Sequence, residues 1–250
     1  MSESSNASAW LTHQGETFFT SLPTRVNRSA VQDLIERIYF SESKKEKSKA
    51  RSIVREWIYT TTPPSIAERE LVKVTAKRIR LAGDSSPPQQ VTLLPDVPSL
   101  PSFEIQGLIP GMEIKPRDVS HWLENLKSPT NERPVSALLV DRNQKLIAAA
   151  WNTNSAIRTR HAEMNLCDGG LEIPEGSTLY VSLKPCRMCA ARIWENAKDP
   201  TKLRVLYFEN DPGPLAQGTM LDPQSAARLH YLGAKHPLLN LNISRLVTAE

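Results

Sequence analysis

Cysteine is scarce. The 250-residue chain has three, too few for a disulfide framework, which suits a reducing, cytoplasmic setting. Long apolar runs are missing too: no stretch reaches the roughly 18 residues a membrane span needs. Met1 to His13 is polar and lacks an apolar core, so no secretory signal is expected. A large excess of one charge is also absent, since the formal net charge is +4. That surplus is uneven. Residues 1–83 hold 14 Lys and Arg against 9 Asp and Glu, and the remainder holds 17 against 18. The basic character belongs to the N-terminal third. At this length the chain can bury a real core without staples, as one large domain or two small ones.

Three regions are expected: a basic helical domain at 1–83, a Pro-rich linker at 84–116, and a larger domain at 117–250. Residues 1–24 read as loose chain, rich in Ser, Thr, Asn and Gly apart from Phe18-Phe19. Ser29 to Gln32 fits a capping box, opening a helix with Val31, Leu34, Ile35 and Ile38 on one face. Ile53, Val54, Trp57 and Ile58 suggest a second helix, with Trp57 as a core residue, and Pro63-Pro64 ends it. Ser65 to Glu68 caps a third, through Leu71, Val74 and Ile79 to Gly83. Two basic clusters lie here, Lys44/Lys45/Lys47/Lys49/Arg51/Arg55 and Lys73/Lys77/Arg78/Arg80. They read either as a phosphate grip on nucleic acid or as solvated helix faces of a unit packed on the catalytic domain. The linker carries seven prolines, which favour extended chain laid over a domain surface. Val91 to Leu94 and Phe103 to Ile105 are candidate edge strands or anchors.

Beyond the linker, Asp118 can cap a helix bearing Val119, Trp122, Leu123 and Leu126. Val135–Val140 and Leu146–Trp151 predict a hairpin around the turn at 141–144. His161 opens a helix that Gly169-Gly170 ends. Thr178–Leu183 is a third strand, Cys186 opens a helix through Ile193 and Trp194, and Leu203–Phe208 is a fourth strand. Asp222-Pro223 suits a helix start, with Gly233 as its stop and Leu239–Val247 as a fifth strand. The order predicts a mixed sheet covered by helices, its last two strands parallel.

Within this frame stand His161-Ala162-Glu163 and, downstream, Pro185-Cys186-Arg187-Met188-Cys189. His and Cys side chains are the donors zinc prefers, and three protein ligands leave a fourth position for water. His161, Cys186 and Cys189 are therefore the expected ligands of one catalytic Zn2+. Both ligand groups fall at helix N-termini, where the positive dipole end favours thiolates. Bound zinc lowers the pKa of water from about 16 to about 7. Glu163, two residues from His161, is placed to move the proton that water loses. A structural site would need a fourth protein ligand. The remaining cysteine, Cys167, lies about 240° around the helix from His161. A lone C-x-x-C also marks structural zinc and redox sites; its combination with H-x-E and the preceding proline is the known pattern of zinc deaminases.

From about 135 to 236 the chain resembles the cytidine deaminase superfamily, and within it the bacterial tRNA adenosine deaminase branch. The resemblance rests on Trp151-Asn152, His161 to Met164, Leu179 to Leu183 leading into Pro185 to Ala190, and Gly218 to Leu221. It implies an α/β fold, a three-layer deaminase fold with a five-stranded mixed sheet; the small all-α domain expected before it comes from the helical patterns of residues 28–83. It also implies Asn152 as the substrate contact, and frequent homodimers. Residues 1–115 have no counterpart in that branch. Lys184 stands where the branch usually has Glu, which bears on the substrate.

Zinc-assisted attack at adenine C6 or cytosine C4 uses one mechanism, so the motif names the reaction and not the base. The leading expectation is adenosine-to-inosine deamination in RNA of tRNA type. The similarity, the basic N-terminal region, and Arg158 and Arg160 in the polar loop support it. Those two arginines also read as surface charges or as partners in the neighbourhood of Glu163. The alternatives are a deaminase of free nucleobases or nucleotides (guanine, cytosine or CMP type) and a cytidine deaminase acting on nucleic acid. A binding or scaffold subunit without catalysis would have no use for Glu163. Trp122 and Trp194 are expected in the core, and His121, His230 and His236 as surface or satisfied groups.

Overall fold

The computed structural model of the chain describes residues 6–23, 29–42, 47–82, 89–97, 107–126, 134–154, 157–168, 170–222 and 228–231. The N-terminal region is not all-α. It contains a four-stranded sheet in the order β2-β1-β3-β4. Strands β1 (Asn6–His13) and β2 (Glu16–Pro23) form an antiparallel hairpin where loose chain was expected. Its two-residue turn holds Gln14 and Gly15, both at positive φ, the geometry that matches the twist of a tight hairpin. The inner face carries Ala9, Leu11 and Phe18, all buried.

Helix α1 (Ala30–Ser41) forms as expected, with the Ser29 hydroxyl accepting the Gln32 N–H. The second helix is shorter than its apolar spacing suggested. α2 (Lys47–Val54) stops before Trp57, and Trp57–Thr60 is strand β3. The competing signal was β propensity: Trp-Ile-Tyr-Thr is aromatic and β-branched throughout, and it alternates half-buried with buried. α3 (Ile66–Thr75) has the full capping box between Ser65 and Glu68. It ends before Ile79, which lies in β4 (Arg78–Leu81), parallel to β3. Trp57 is half-buried and outside the core, with the guanidinium of Arg80 3.7 Å and that of Arg78 5.4 Å from its ring centroid. Of the linker, residues 89–97 lie against this unit. Thr92 bridges Phe18, and Arg37 binds the Leu94 carbonyl and the Asp96 carboxylate. Phe103–Ile105 lies outside the described residues.

The second sheet has five strands in the order β6-β5-β7-β8-β9. β5 (Ser136–Val140) pairs antiparallel with β6 (Leu146–Trp151) and with β7 (Thr178–Leu183). β8 (Arg204–Glu209) runs parallel to β7 and to β9 (Arg228–Tyr231). Alternate residues of these strands enter two cores. Ala137, Leu139, Leu179, Val181 and Val205 meet α5 (Ala162–Cys167) and α6 (Arg187–Asn196) through Ala162, Leu166, Ala190 and Ile193. Leu138, Val140, Tyr180 and Leu206 meet α4 (Val119–Asn125) on the other face. Burial on both faces explains the unbroken apolar run of β5. Trp122 and Trp194, expected in the core, are half-buried and pack against its edges. The last strand was misplaced: Arg228–Tyr231, expected in a helix from Asp222, is β9, and the expected strand at Leu239–Val247 lies outside the described residues. His230 stands in β9, and His236 lies outside the described residues. No described helix is long and apolar enough to cross a membrane.

Candidate metal and catalytic centre

His161 and Cys186 are the N-cap residues of α5 and α6, both with extended backbone, and Cys189 stands in the first turn of α6. The two helix starts meet because α5 follows the loop after β6, while β7 runs through Lys184-Pro185 directly into α6. His161 Nδ1 lies 3.7 Å from Cys186 Sγ and 3.4 Å from Cys189 Sγ, and the two sulfurs are 3.6 Å apart. Zinc bonds of about 2.3 Å to sulfur and 2.0–2.1 Å to nitrogen put tetrahedral ligands about 3.5–3.8 Å apart. The triad matches those edges, and it is the metal-competent cluster found among the described residues. Cys167 is buried in the core behind α5, its thiol pushed up to about 12 by burial, and stands outside the triad.

Glu163 lies in the first turn of α5, 3% exposed, and its Oε2 has no hydrogen-bond partner among the described residues. A buried carboxylate oxygen without a partner is costly unless the site brings one, and an incoming water or substrate nitrogen is such a partner. Burial pushes the Glu163 carboxyl up to about 7, with the neighbouring His161 pulling the other way. That value suits a group that takes and returns protons at neutral pH. The Cys186 thiol is held well below its ordinary range by the Cys189 hydrogen bond and by His161, whereas burial and the neighbouring Cys186 push Cys189 well above it, so the two sulfurs share one proton in the absence of a metal.

Asn152 follows β6 directly and is 2% exposed. Its Oδ1 accepts the Val135 N–H and its Nδ2 donates to Asn154 Oδ1. Asn165, on α5, ties the same strand end down by donating to the Trp151 carbonyl and Thr153 Oγ1. Arg158 is exposed, whereas Arg160 is buried and paired with Glu36 of α1. Arg160 is thus a carboxylate partner and not a free cation at the pocket. His121 is exposed and touches Asn125. Lys184 pairs with Asp222 at 3.0 Å, and Asp222 also accepts the Thr219 N–H.

The N-terminal unit closes over this centre. Ile157, Met164, Cys186, Met188 and Cys189 belong to the same apolar core as α1, α2, α3 and the inner face of the N-terminal sheet. Glu195 of α6 accepts the Ala67 N–H and the Ser65 hydroxyl at the start of α3. Glu70 of α3 pairs with Arg187 at 3.5 Å. Sequence reasoning missed Glu36, Thr159 and Asn165, because their partners are remote in the chain or belong to the backbone.

Residues 127–231 match the Bd3614-like deaminase family model. A tRNA-specific adenosine deaminase of Haemophilus influenzae is 42% identical over 69 residues, covering 25% of this chain and 40% of that protein. One from Bacillus subtilis is 31% identical over 107 residues, covering 40% and 63%. The chain thus spans about half the length of the curated relatives it matches. A solved structure from work on A-to-I editing by tRNA:A34 deaminases shares 27% identity over 39% of this chain and 81% of its own, with a TM-score of 0.29. A guanine deaminase from Nitrosomonas europaea shares 18% over 53% and 85%, with a TM-score of 0.38. Through residues 127–231 the chain is similar to the cytidine deaminase-like superfamily, and within it resembles the tRNA adenosine deaminases.

Proposed function

We propose that the chain is a zinc-dependent hydrolytic deaminase of a nucleobase, with adenosine in tRNA-like RNA as the leading substrate. The observation that carries the reading is the N/S/S triad at zinc-ligand spacing beside the buried carboxylate of Glu163. Zinc held by His161, Cys186 and Cys189 would supply Lewis acidity, bringing the pKa of water to about 7 there. Glu163 takes the proton from the attacking water and delivers it to the ring nitrogen beside the carbon under attack. Glu163 then moves the remaining proton of the added hydroxyl to the exocyclic amine, which leaves as ammonia, and the ring carbon keeps the oxygen as a carbonyl, so adenosine becomes inosine. Burial keeps Glu163 out of bulk water and ready for both transfers. Asn152, just after the end of β6, is the proposed substrate contact. A cytoplasmic homodimer is part of the same reading, and gel filtration with light scattering tests the dimer.

One observation favours a second reading, a deaminase of free nucleobases or nucleotides. The N-terminal unit shares a core with the metal helices, so it is not a separate basic arm for RNA. Mass spectrometry of nucleosides from RNA treated with the wild-type protein decides, with Glu163→Ala as control. New inosine supports the leading reading. Unchanged RNA together with conversion of free guanine, cytosine or nucleotides supports the second.

A further inference from the structure

The loop before His161 is held from outside the deaminase region. Thr159 and Arg160 are both buried, and the His161 N–H donates to the Thr159 carbonyl at 2.9 Å. Arg160 closes a turn on Ile157, and its carbonyl accepts the Thr153 N–H. Their side chains leave this loop and converge on one residue of α1. Glu36 is 1% exposed. Its Oε2 accepts Arg160 Nε at 3.2 Å, and its Oε1 accepts the Thr159 hydroxyl at 3.4 Å and Gln32 Nε2 at 3.0 Å. More than 120 residues separate the partners in sequence.

We propose that Glu36 is a positioning residue for the metal triad: it anchors Thr159 and Arg160, and so fixes the backbone from which His161 presents Nδ1 to Cys186 and Cys189. This rests on the zinc reading above. The physical reason is the cost of a buried cation. Arg160 stays inside because Glu36 neutralises it and orients its guanidinium. Without that anchor Arg160 turns toward water, and His161, the next residue, moves with it. Zinc–ligand distances hold to within about 0.2 Å of their ordinary values, so a displaced His161 fits the cage less well and weakens zinc binding. Glu70 grips Arg187 beside Cys186 in the same sense. Its pair is longer, at 3.5 Å, it is less buried, and it is shared with Lys73, so its hold is weaker.

The test measures zinc affinity of the full chain by competition with a chromogenic chelator, at temperatures where circular dichroism shows each variant folded. Glu36→Gln is expected to bind zinc about 10- to 100-fold more weakly, the usual cost of losing a group that orients ligands. Ile58→Ala, which destabilises the same unit away from the triad, is expected to stay within about twofold of wild type, because it leaves the ligand-orienting contacts in place. Wild-type affinity in Glu36→Gln, or equal losses in both variants, overturns the proposal. Should Glu36→Gln fail to fold, the double variant Glu36→Leu/Arg160→Met removes both charges at similar volume and keeps the fold. It is expected to bind zinc as weakly, and wild-type affinity in it overturns the proposal. A wild-type protein that takes up no zinc overturns the proposed function, and this inference with it.

Discussion

The two sheets bury themselves differently, and the difference decides what each can do. Strands β5, β7 and β8 have helices on both faces, so neighbouring residues enter separate cores and few side chains remain for contact with solvent. The N-terminal sheet buries one face against α1–α3. Its other face carries the buried Trp10, stacked on Tyr59, the half-buried Phe19, Tyr59 and Trp57, and the exposed Arg78 and Arg80. The doubly covered sheet is a rigid platform for the helix starts that hold the triad. The singly covered one serves as backing for helices that press on those helix starts. The N-terminal region is therefore a wall of the centre, which fits packing on the catalytic domain better than a detached basic arm.

The largest expected effects break the platform side of this comparison. Cys186→Ala or Cys189→Ala should leave less than one zinc per chain by atomic emission, and full zinc content in either would refute the ligand set. Glu163→Ala should keep its zinc and lose about 10²- to 10⁴-fold in turnover, the usual worth of a proton-transfer group. A tenth of wild-type activity would remove Glu163 from that role.

Core truncations ask whether the wall and the platform are one folding unit. Ile58→Ala on the N-terminal side and Leu179→Ala on the other remove fully buried side chains, each at a cost of about 2–5 kcal/mol. Because one core spans both regions, each variant should shift a single cooperative transition in urea. Two transitions, of which Ile58→Ala moves one, would show the regions folding independently.

On the open face, Trp57→Ala should cost about 0.5–1 kcal/mol for each of its cation–π interactions with Arg78 and Arg80, a small shift in the urea midpoint. A loss near that of Ile58→Ala would place Trp57 in the core after all. The smallest effect concerns Glu68, whose carboxyl is raised above 4.5 chiefly by burial. A folded pKa above the unfolded one means the folded state binds the proton more tightly. Stability is then greatest below the unfolded pKa and declines as pH rises through 4.5 to the raised value. Glu68→Gln keeps an acceptor for the Ser65 N–H and should flatten that part of the profile. An unchanged slope would assign the titration to other groups.

The elements around the triad were legible because local signals agreed there: alternating strands, a proline before Cys186, and capping positions at His161 and Cys186. In the N-terminal region they conflicted. Ile53, Val54, Trp57 and Ile58 fit one helical face, yet Trp57–Thr60 also alternates as a strand, and pairing with β1 and β4 settled the outcome. The β1–β2 hairpin had its own signs in the alternation after Glu16 and in the Gln14-Gly15 turn. The abundance of Ser, Thr and Asn there masked them. Arg228–Tyr231 pairs in parallel with β8, and that long-range pairing set its conformation.

The sequence by itself determined which residues the proposed chemistry rests on. His161, Glu163, Cys186 and Cys189 have donor types that suit one metal and one proton transfer, and short spacings within each motif place them on helix starts. Only the tertiary structure decided what stands around them. Glu36 reaches Arg160, and α3 reaches α6, across more than 100 residues of chain. Contacts at that separation leave no periodic trace in sequence, because they arise when preformed surfaces meet and a buried charge requires its partner.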